Sequence, residues 1–374
     1  METFFDLIQK VQKPGLCHHC GGCVTFCTAI NFGALTTDET GKPVYADPEK
    51  CIECGICYMI CPEIGVMEQE VKKRWQWKPP AGKMLEATAA RARDAAVRRR
   101  ATDGGAVTAM LLHLFDAGRI DGAIVTRPTG TFRREPVLAT TRKEILEAAG
   151  FFFDTSHGMR LYSQQYSTYA PSIQMLGQLS KRRAGRVAFV GTPCQIKTLR
   201  KMEALNIVPT DSISIAFGLF CSGNFVFGSD ERHRLEKLGK FVWSDVRKVN
   251  VKDGGLRMHL DSGQVRTIPL EELDFMRRYA CRHCEDYSAE YADLSFGGIS
   301  APEGWTTVIT RTPLGRAAFS HAKSEGALET LPREQDPTYS SRAEAAVKEK
   351  SEKKRAAARE NRALLKPGGV KVKG

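Results

Sequence analysis

The sequence predicts a small α+β module built around metal-bound thiols, followed by a larger α/β domain. Three observations carry that prediction. Eight of the twelve cysteines fall within residues 17–61. Beyond residue 100, short β-branched or aromatic runs alternate with stretches of helical period. Two of those runs, RVAFVGTPCQ and SISIAFGLFCSGN, end in a single cysteine.

At 374 residues the chain has room for two or three domains of about 150 residues each. Its 42% apolar and 26% charged content is that of a globular chain able to bury a core. No apolar run reaches the ~18 residues of a membrane span. The first residues, METFFDLIQKVQKPG, lack the basic-then-apolar order of a secretory leader, so a cytoplasmic protein is expected. The net charge of +12 concentrates between Lys72 and Arg100 and beyond Arg342. Both stretches read as solvated faces, and no nucleic-acid partner is expected.

Twelve cysteines are many for a reducing compartment, where disulfides are rare. Residues 17–27 read C-HH-C-GG-C-VTF-C, and residues 51–62 read C-IE-C-GI-C-YMI-C-P. Each is C-x2-C-x2-C-x3-C, the spacing that wraps a loop around a four-iron, four-sulfide (4Fe-4S) cubane. The fourth cysteine of each run serves the other cluster in such pairs. Cys17, Cys20, Cys23 and Cys61 therefore hold one cluster in this reading, and Cys51, Cys54, Cys57 and Cys27 the other. Residues 1–72 then form a bacterial-type two-cluster ferredoxin domain. Gly21, Gly22 and Gly55 let the chain curl close to inorganic sulfide. Zinc sites use paired C-x2-C knuckles rather than four cysteines in one run. Thr28 stands where the second run has Pro62, a difference that removes no ligand.

Residues 73–100 read as a basic linker or helix, and residues 101–330 as the α/β domain. Asp103-Gly104-Gly105 precedes a helix-period run through Val107, Met110, Leu111 and Leu114. Glycines feeding a helix N-terminus suit a phosphate, and a tight turn before an ordinary helix is an equal reading. The pattern is not G-x-G-x-x-G, so no Rossmann nucleotide site follows from it. Cys194 and Cys221 close two strand-like runs, where open α/β folds place ligands. Together with the C-x2-C pair Cys281 and Cys284 they make a four-thiolate site. Spacing alone leaves zinc open there; the two neighbouring clusters favour a third 4Fe-4S centre.

The ordered motifs GGAVTA…GRIDGAIV, AFVGTPCQIKTLRKM, GLFCSGNF, C-RH-C-EDYSAEYADLSFGG and EGWTTVITRT, between about residues 84 and 330, carry a specific resemblance. The chain resembles the family of β subunits of coenzyme F-420-reducing hydrogenases and formate dehydrogenases. That family also includes the input subunit of F-420H2 dehydrogenase and 7-hydroxymethyl-chlorophyll a reductase. The resemblance implies an FAD-binding flavoprotein domain with a third 4Fe-4S cluster ligated by Cys194, Cys221, Cys281 and Cys284. It makes Asp103, Gly104, Gly105 and Thr108 the leading flavin contacts, with Thr192, Gln195, Ser295, Gly297 and Trp305 in the same pocket. Coenzyme F-420 (F420, a deazaflavin), or another low-potential carrier, becomes the diffusible substrate, and other redox subunits become the partners. Where relatives have a short segment, this chain has a longer one, Phe151 to Pro171, expected to control access to the flavin.

His18, His19 and His283 sit beside ligand cysteines and read as loop or tuning residues, because the cysteine count is already complete. Residues 331–374 form a charged tail of strong helix formers, either solvated or docking on a partner subunit. The expected activity is an oxidoreductase subunit that exchanges hydride between F420 and FAD and passes single electrons through three clusters. Two other readings stay open: an F420-independent flavin electron-transfer subunit of a heterodisulfide-reductase, hydrogenase or formate-dehydrogenase type complex, and a non-catalytic basic iron–sulfur adaptor.

Overall fold

The structure, a computed structural model, describes residues 2–130, 133–150, 172–181, 185–207 and 209–365. The long segment from Phe151 to Pro171 lies outside the described residues. At the N-terminus, strands β1 (Leu35–Thr37) and β2 (Pro43–Tyr45) pair antiparallel. The two cysteine runs fold alike. In each, the glycine after the second cysteine, Gly21 or Gly55, caps a short helix with φ of 78° or 70°, a left-handed conformation that suits glycine. Helix α1 (Glu68–Arg74) follows the second run.

Among the described residues, the rest of the chain adds eleven strands: β3 (Glu86–Ala92), β4 (Gly122–Gly130), β5 (Arg133–Ala139), β6 (Val187–Gly191), β7 (Ile213–Leu219), β8 (Val246–Lys252), β9 (Gly255–Leu260), β10 (Val265–Pro269), β11 (Leu294–Gly297), β12 (Thr306–Thr310) and β13 (Leu328–Thr330). Eight of them form one sheet in the order β13-β3-β12-β11-β7-β6-β4-β5. Its centre, β11, β7, β6 and β4, is parallel, and antiparallel strands flank it. The parallel strands are buried on both faces, which is why VAFVG and ISIAFGL read as nearly continuous apolar runs. Strands β8, β9 and β10 make a separate antiparallel sheet with its own core around Trp243 and Met258.

Helices α2 (Ala106–Asp116), α3 (Pro193–Ala204), α4 (Pro313–Ser324) and α5 (Tyr339–Ala363) complete the elements that matter for the site. Met110, Leu111 and Leu114 of α2 and Phe319 of α4 pack with Phe217 and Phe296 in one core. Ile196, Leu199 and Met202 of α3 pack with Phe189 and Ala216 in another, and Phe26, Ile60 and Val71 from the N-terminal part join them there. Ile60 and Val71 are fully buried. Burying an aliphatic side chain stabilises by about 1.5–3 kcal/mol, so this contact makes the cysteine module part of the main core.

Two sequence expectations are corrected here. Residues 73–100 are not a linker, because Glu86–Ala92 forms a strand inside the large sheet, paired with both β12 and β13. Its alanines hid it: small residues alternate without the bulk that marks a buried strand, and the following arginines dominated the pattern. The tail is a helix through Ala363, and it is not free in solvent: one face packs on the body of the protein while the opposite face stays exposed. Helix α5 lies against β3 and the loop around residue 283, and buries Tyr339, Ala343 and Val347.

Candidate functional site

The thiols of the two N-terminal runs separate into two groups. Cys17, Cys20, Cys23 and Cys61 line one cavity, with Ile60, Pro62 and Thr198 in its wall. Cys27, Cys51, Cys54 and Cys57 line the other, walled by Phe4, Phe26, Phe32 and Leu35. The grouping crosses between runs, as the fourth-cysteine exchange requires. Burial pushes the Cys17 thiol up to about 11 and Cys57 to about 12, helped in each case by neighbouring sulfurs. Thiols crowded like this ionise when a cation or cluster compensates their charge. No disulfide joins any of the twelve cysteines.

A third group assembles from distant parts of the chain. Strands β6 and β7 are parallel neighbours, so their C-terminal ends share one edge of the sheet. Cys194 opens α3 just past β6, and Cys221 follows β7 by one residue. Cys281 and Cys284 approach on a 3-10 turn. The Asn224 backbone N–H donates to Cys281 Sγ at 3.3 Å, and its side-chain amide approaches Cys221 Sγ at 3.9 Å. Thr192 Oγ1 lies 3.4 Å from Cys194 Sγ. Burial pushes Cys221 up to about 12, against the opposing pull of Lys354, and the other three sulfurs add to the rise. Burial would also raise Cys281, but the His18 ring, the Asn224 N–H and Arg278 bring it down to about 7.

Helix α5 supplies cations to this edge. Lys354 Nζ donates to the carbonyls of Cys221 at 2.6 Å and Asp286 at 2.8 Å. Arg355 pairs with Glu285 and Glu290, and Arg362 with Glu63 at 2.5 Å. Both ring nitrogens of His283, which is 2% exposed between Cys281 and Cys284, lack a protein partner. The ring packs on Tyr279 at 4.9 Å, and a buried imidazole without a hydrogen-bond partner so near Cys281 and Cys284 in sequence is compatible with a bound group that carries acceptor atoms.

Beyond Leu219 a cavity of about 260 Å³ opens at the C-terminal ends of the parallel strands. Asp103, Gly105, Thr108 and Gly297 line it, with Leu111, Val190 and Phe296 as apolar wall. Gly105, at φ 74°, caps α2 without any side-chain hydrogen bond, so the first amides of that helix remain available to an anion. Gly104 buttresses the turn: its N–H donates to Thr306 Oγ1 at 3.1 Å, and a Cβ there would meet the Ala90 carbonyl at 2.8 Å. Burial raises the Asp103 carboxyl, which accepts from Asn250 Nδ2 at 3.1 Å.

Thr192, Gln195, Ser295 and Trp305 are not among the residues that line this cavity. Side chains alternate along a strand. Phe296 faces the cavity, so its strand neighbour Ser295 points away; Trp305 lies just before β12 and outside the lining. Ser295 bonds to Arg311 at 2.6 Å, and Trp305 stacks under Arg91 at 4.3 Å. Thr192 faces Cys194, and Gln195 turns back to accept from the Thr192 N–H at 3.3 Å. Of the three histidines, His18 enters the third group, with Nε2 2.7 Å from Glu63 Oε1. Asn250, Lys354 and Lys201 carry no sequence signal, because only the fold brings them to the site.

Residues 184–336 match the family described as the C terminus of the coenzyme F420 hydrogenase/dehydrogenase beta subunit, and residues 87–162 match its N-terminal counterpart. The beta subunit of coenzyme F420 hydrogenase from Methanothermobacter thermautotrophicus is 33% identical over 260 residues, spanning 68% of this chain and 86% of that protein. The chain belongs to the family of coenzyme F420 hydrogenase/dehydrogenase beta subunits. Residues 9–62 add a 4Fe-4S dicluster domain to this family member. The F subunit of the F420H2 dehydrogenase of Methanosarcina mazei is 26% identical over 335 residues, covering 85% of each chain. Among solved structures, a chain of the F420-reducing [NiFe] hydrogenase complex from Methanosarcina barkeri matches with 26% identity and a TM-score of 0.65, covering 79% of this chain and 96% of that one. The mixed sheet described above is thus the fold of an F420-family beta subunit. Among the described residues no helix is long and apolar enough to cross a membrane.

Proposed function

We propose that this protein is an oxidoreductase subunit that exchanges hydride between F420 and FAD and relays single electrons through three 4Fe-4S clusters to or from partner redox subunits. A flavin bound in this chain would supply the exchange between two-electron hydride chemistry and one-electron chemistry. The observation that carries the reading is adjacency. Leu219 lines the cavity, Cys221 belongs to the third thiol group, and only Phe220 separates them, its ring packed against Gly297.

The residues fit the groups invoked. Asp103, Gly104, Gly105 and Thr108 would hold FAD, with the open amides of α2 taking phosphate and Leu111, Val190, Leu219 and Phe296 covering a flat ring. Cys194, Cys221, Cys281 and Cys284 would hold the third cluster, and Lys354 places a cation beside it. Phe220 and Tyr287, with ring centroids 5.5 Å apart, keep water out between cavity and thiols.

Anaerobically purified protein should contain about twelve iron per chain, as three four-iron clusters require, and one FAD. Cys194→Ser should remove about a third of that iron and leave the dicluster signals intact. Oxidation of F420H2, followed at its visible band, should bleach the flavin. Zinc in place of the last four iron would overturn the third cluster. Full flavin and iron with no F420 oxidation would make the chain an F420-independent electron-transfer subunit.

A further inference from the structure

We propose that the two thiol groups of the N-terminal module have fixed and unequal roles. The Cys17/Cys20/Cys23/Cys61 group exchanges electrons with the third group, and the Cys27/Cys51/Cys54/Cys57 group exchanges them with the outside. His18, Thr198 and Lys201 hold that junction. The proposal rests on all three groups carrying clusters, and it holds for either direction of flow.

The asymmetry lies in the contacts. Cys20 Sγ lies 3.7 Å from Thr198 Oγ1, which itself donates to the Cys194 carbonyl at 2.9 Å. Two contacts therefore link a sulfur of the first group to a ligand residue of the third. Lys201, one turn further along α3 and fully buried, donates to the carbonyls of Cys61 and Ile64, both at 2.5 Å. His18 follows Cys17 in sequence, yet its ring reaches Glu63 Oε1 at 2.7 Å, and Arg278, three residues before Cys281, donates to its carbonyl at 3.1 Å. The packing leaves no slack, since a Cβ on Gly22 would meet Thr198 Cγ2 at 2.6 Å. Among the described residues the other group has no polar contact of this kind with α3; Cys54 packs only against the apolar core that the module shares with the sheet. Its cavity is walled only by residues 3–57, and Ile52 on its rim is 61% exposed. In each step one electron leaves one group and arrives at the next; no bond forms and no proton moves.

The full-length protein tests this order. Cys20→Ser and Cys54→Ser should each cost about a third of the iron, which verifies that a single cluster is lost. In dithionite-reduced samples, spin coupling between the third cluster and a module cluster should persist in Cys54→Ser and vanish in Cys20→Ser. This readout needs neither FAD nor F420, so it stands apart from failure of the hydride reading. After rapid mixing with reductant that enters at the flavin, Cys20→Ser should slow reduction of the remaining module cluster at least about tenfold, or about 1.4 kcal/mol of barrier. Lys201→Met, which replaces no thiol, should keep all iron and slow module reduction in the same sense; it carries the test if Cys20→Ser sheds all module iron. Unchanged coupling and rate in Cys20→Ser, or in Lys201→Met where that variant stands in, would overturn the order, as would loss of the coupling in Cys54→Ser.

Discussion

At the scale of single residues, the site depends on positions where one atom more would not fit. Gly105 combines φ of 74° with contacts of 3.1 Å to Ala101 and 3.2 Å to Val97 for any added Cβ. A side chain there meets both left-handed strain of about 1–2 kcal/mol and a neighbouring wall. Gly105→Leu should therefore lower the flavin content of the purified protein while leaving its iron unchanged, read from the visible spectrum and metal analysis. Lys354 acts by charge. Its ammonium sits on the carbonyl of Cys221, and a cation beside a cluster favours the reduced, more negative state. If the proposed third cluster is held there, Lys354→Met should lower its reduction potential in an EPR-monitored titration, with the dicluster potentials unmoved. Such single-residue effects were partly legible beforehand. Asp103, Gly104 and Gly105 stood out because a turn into a helix is a local pattern. Ser295 and Trp305 do not line the cavity beyond Leu219, and membership of a motif does not tell which way a side chain turns.

At the scale of elements, α3 and α5 do the joining. Helix α3 begins with a third-group thiol and, one to two turns later, meets the module through Thr198 and Lys201. Its Lys197 also pairs with Glu68 of α1 at 2.6 Å, and Tyr291 donates to the same carboxylate at 3.3 Å. Burial would raise the Glu68 carboxyl, but Lys197, with Lys72 and Lys201 behind it, brings it down to about 2. A carboxyl held below its unfolded value stabilises the fold above that value and loses its contribution as it protonates. The α1–α3 contact should therefore weaken as pH falls from about 4.5 toward 2. Thermal melts of wild type and Glu68→Gln should differ most near neutral pH and converge over that acid window. Equal melting at all pH values would remove Glu68 from the account. The helical character of α5 could be read from its composition, whereas its docking could not: Lys354, Arg355 and Arg362 look like any solvated basic residues until their acceptors come from residues 63, 221 and 285–290.

At the scale of the whole molecule, three thiol groups and one cavity lie within one packed structure. The module shares a core with the sheet instead of hanging from a tether, so the spacing between groups is set by packing and does not fluctuate with a linker. In the proposed one-electron relay, such a junction would keep the same two groups in contact. It also explains the basic excess in part, since several cations of the tail and of α3 are held against the thiol groups and their carbonyls.

What the sequence by itself determined is whatever short range encodes: two loops of 4Fe-4S spacing, with two or three residues between successive cysteines and Gly21 or Gly55 opening the short helix of each, and the Asp-Gly-Gly entrance to α2. Tertiary structure alone decided the rest. Four sulfurs from residues 194, 221, 281 and 284 meet because β6 and β7 run parallel and end on one edge. Glu86–Ala92 is a strand because neighbours on both sides pair with it. The unequal contacts of the two module groups exist because α3 reaches only one of them. Such long-range encounters depend on how apolar faces pack across the sheet, and local spacing carries no record of them.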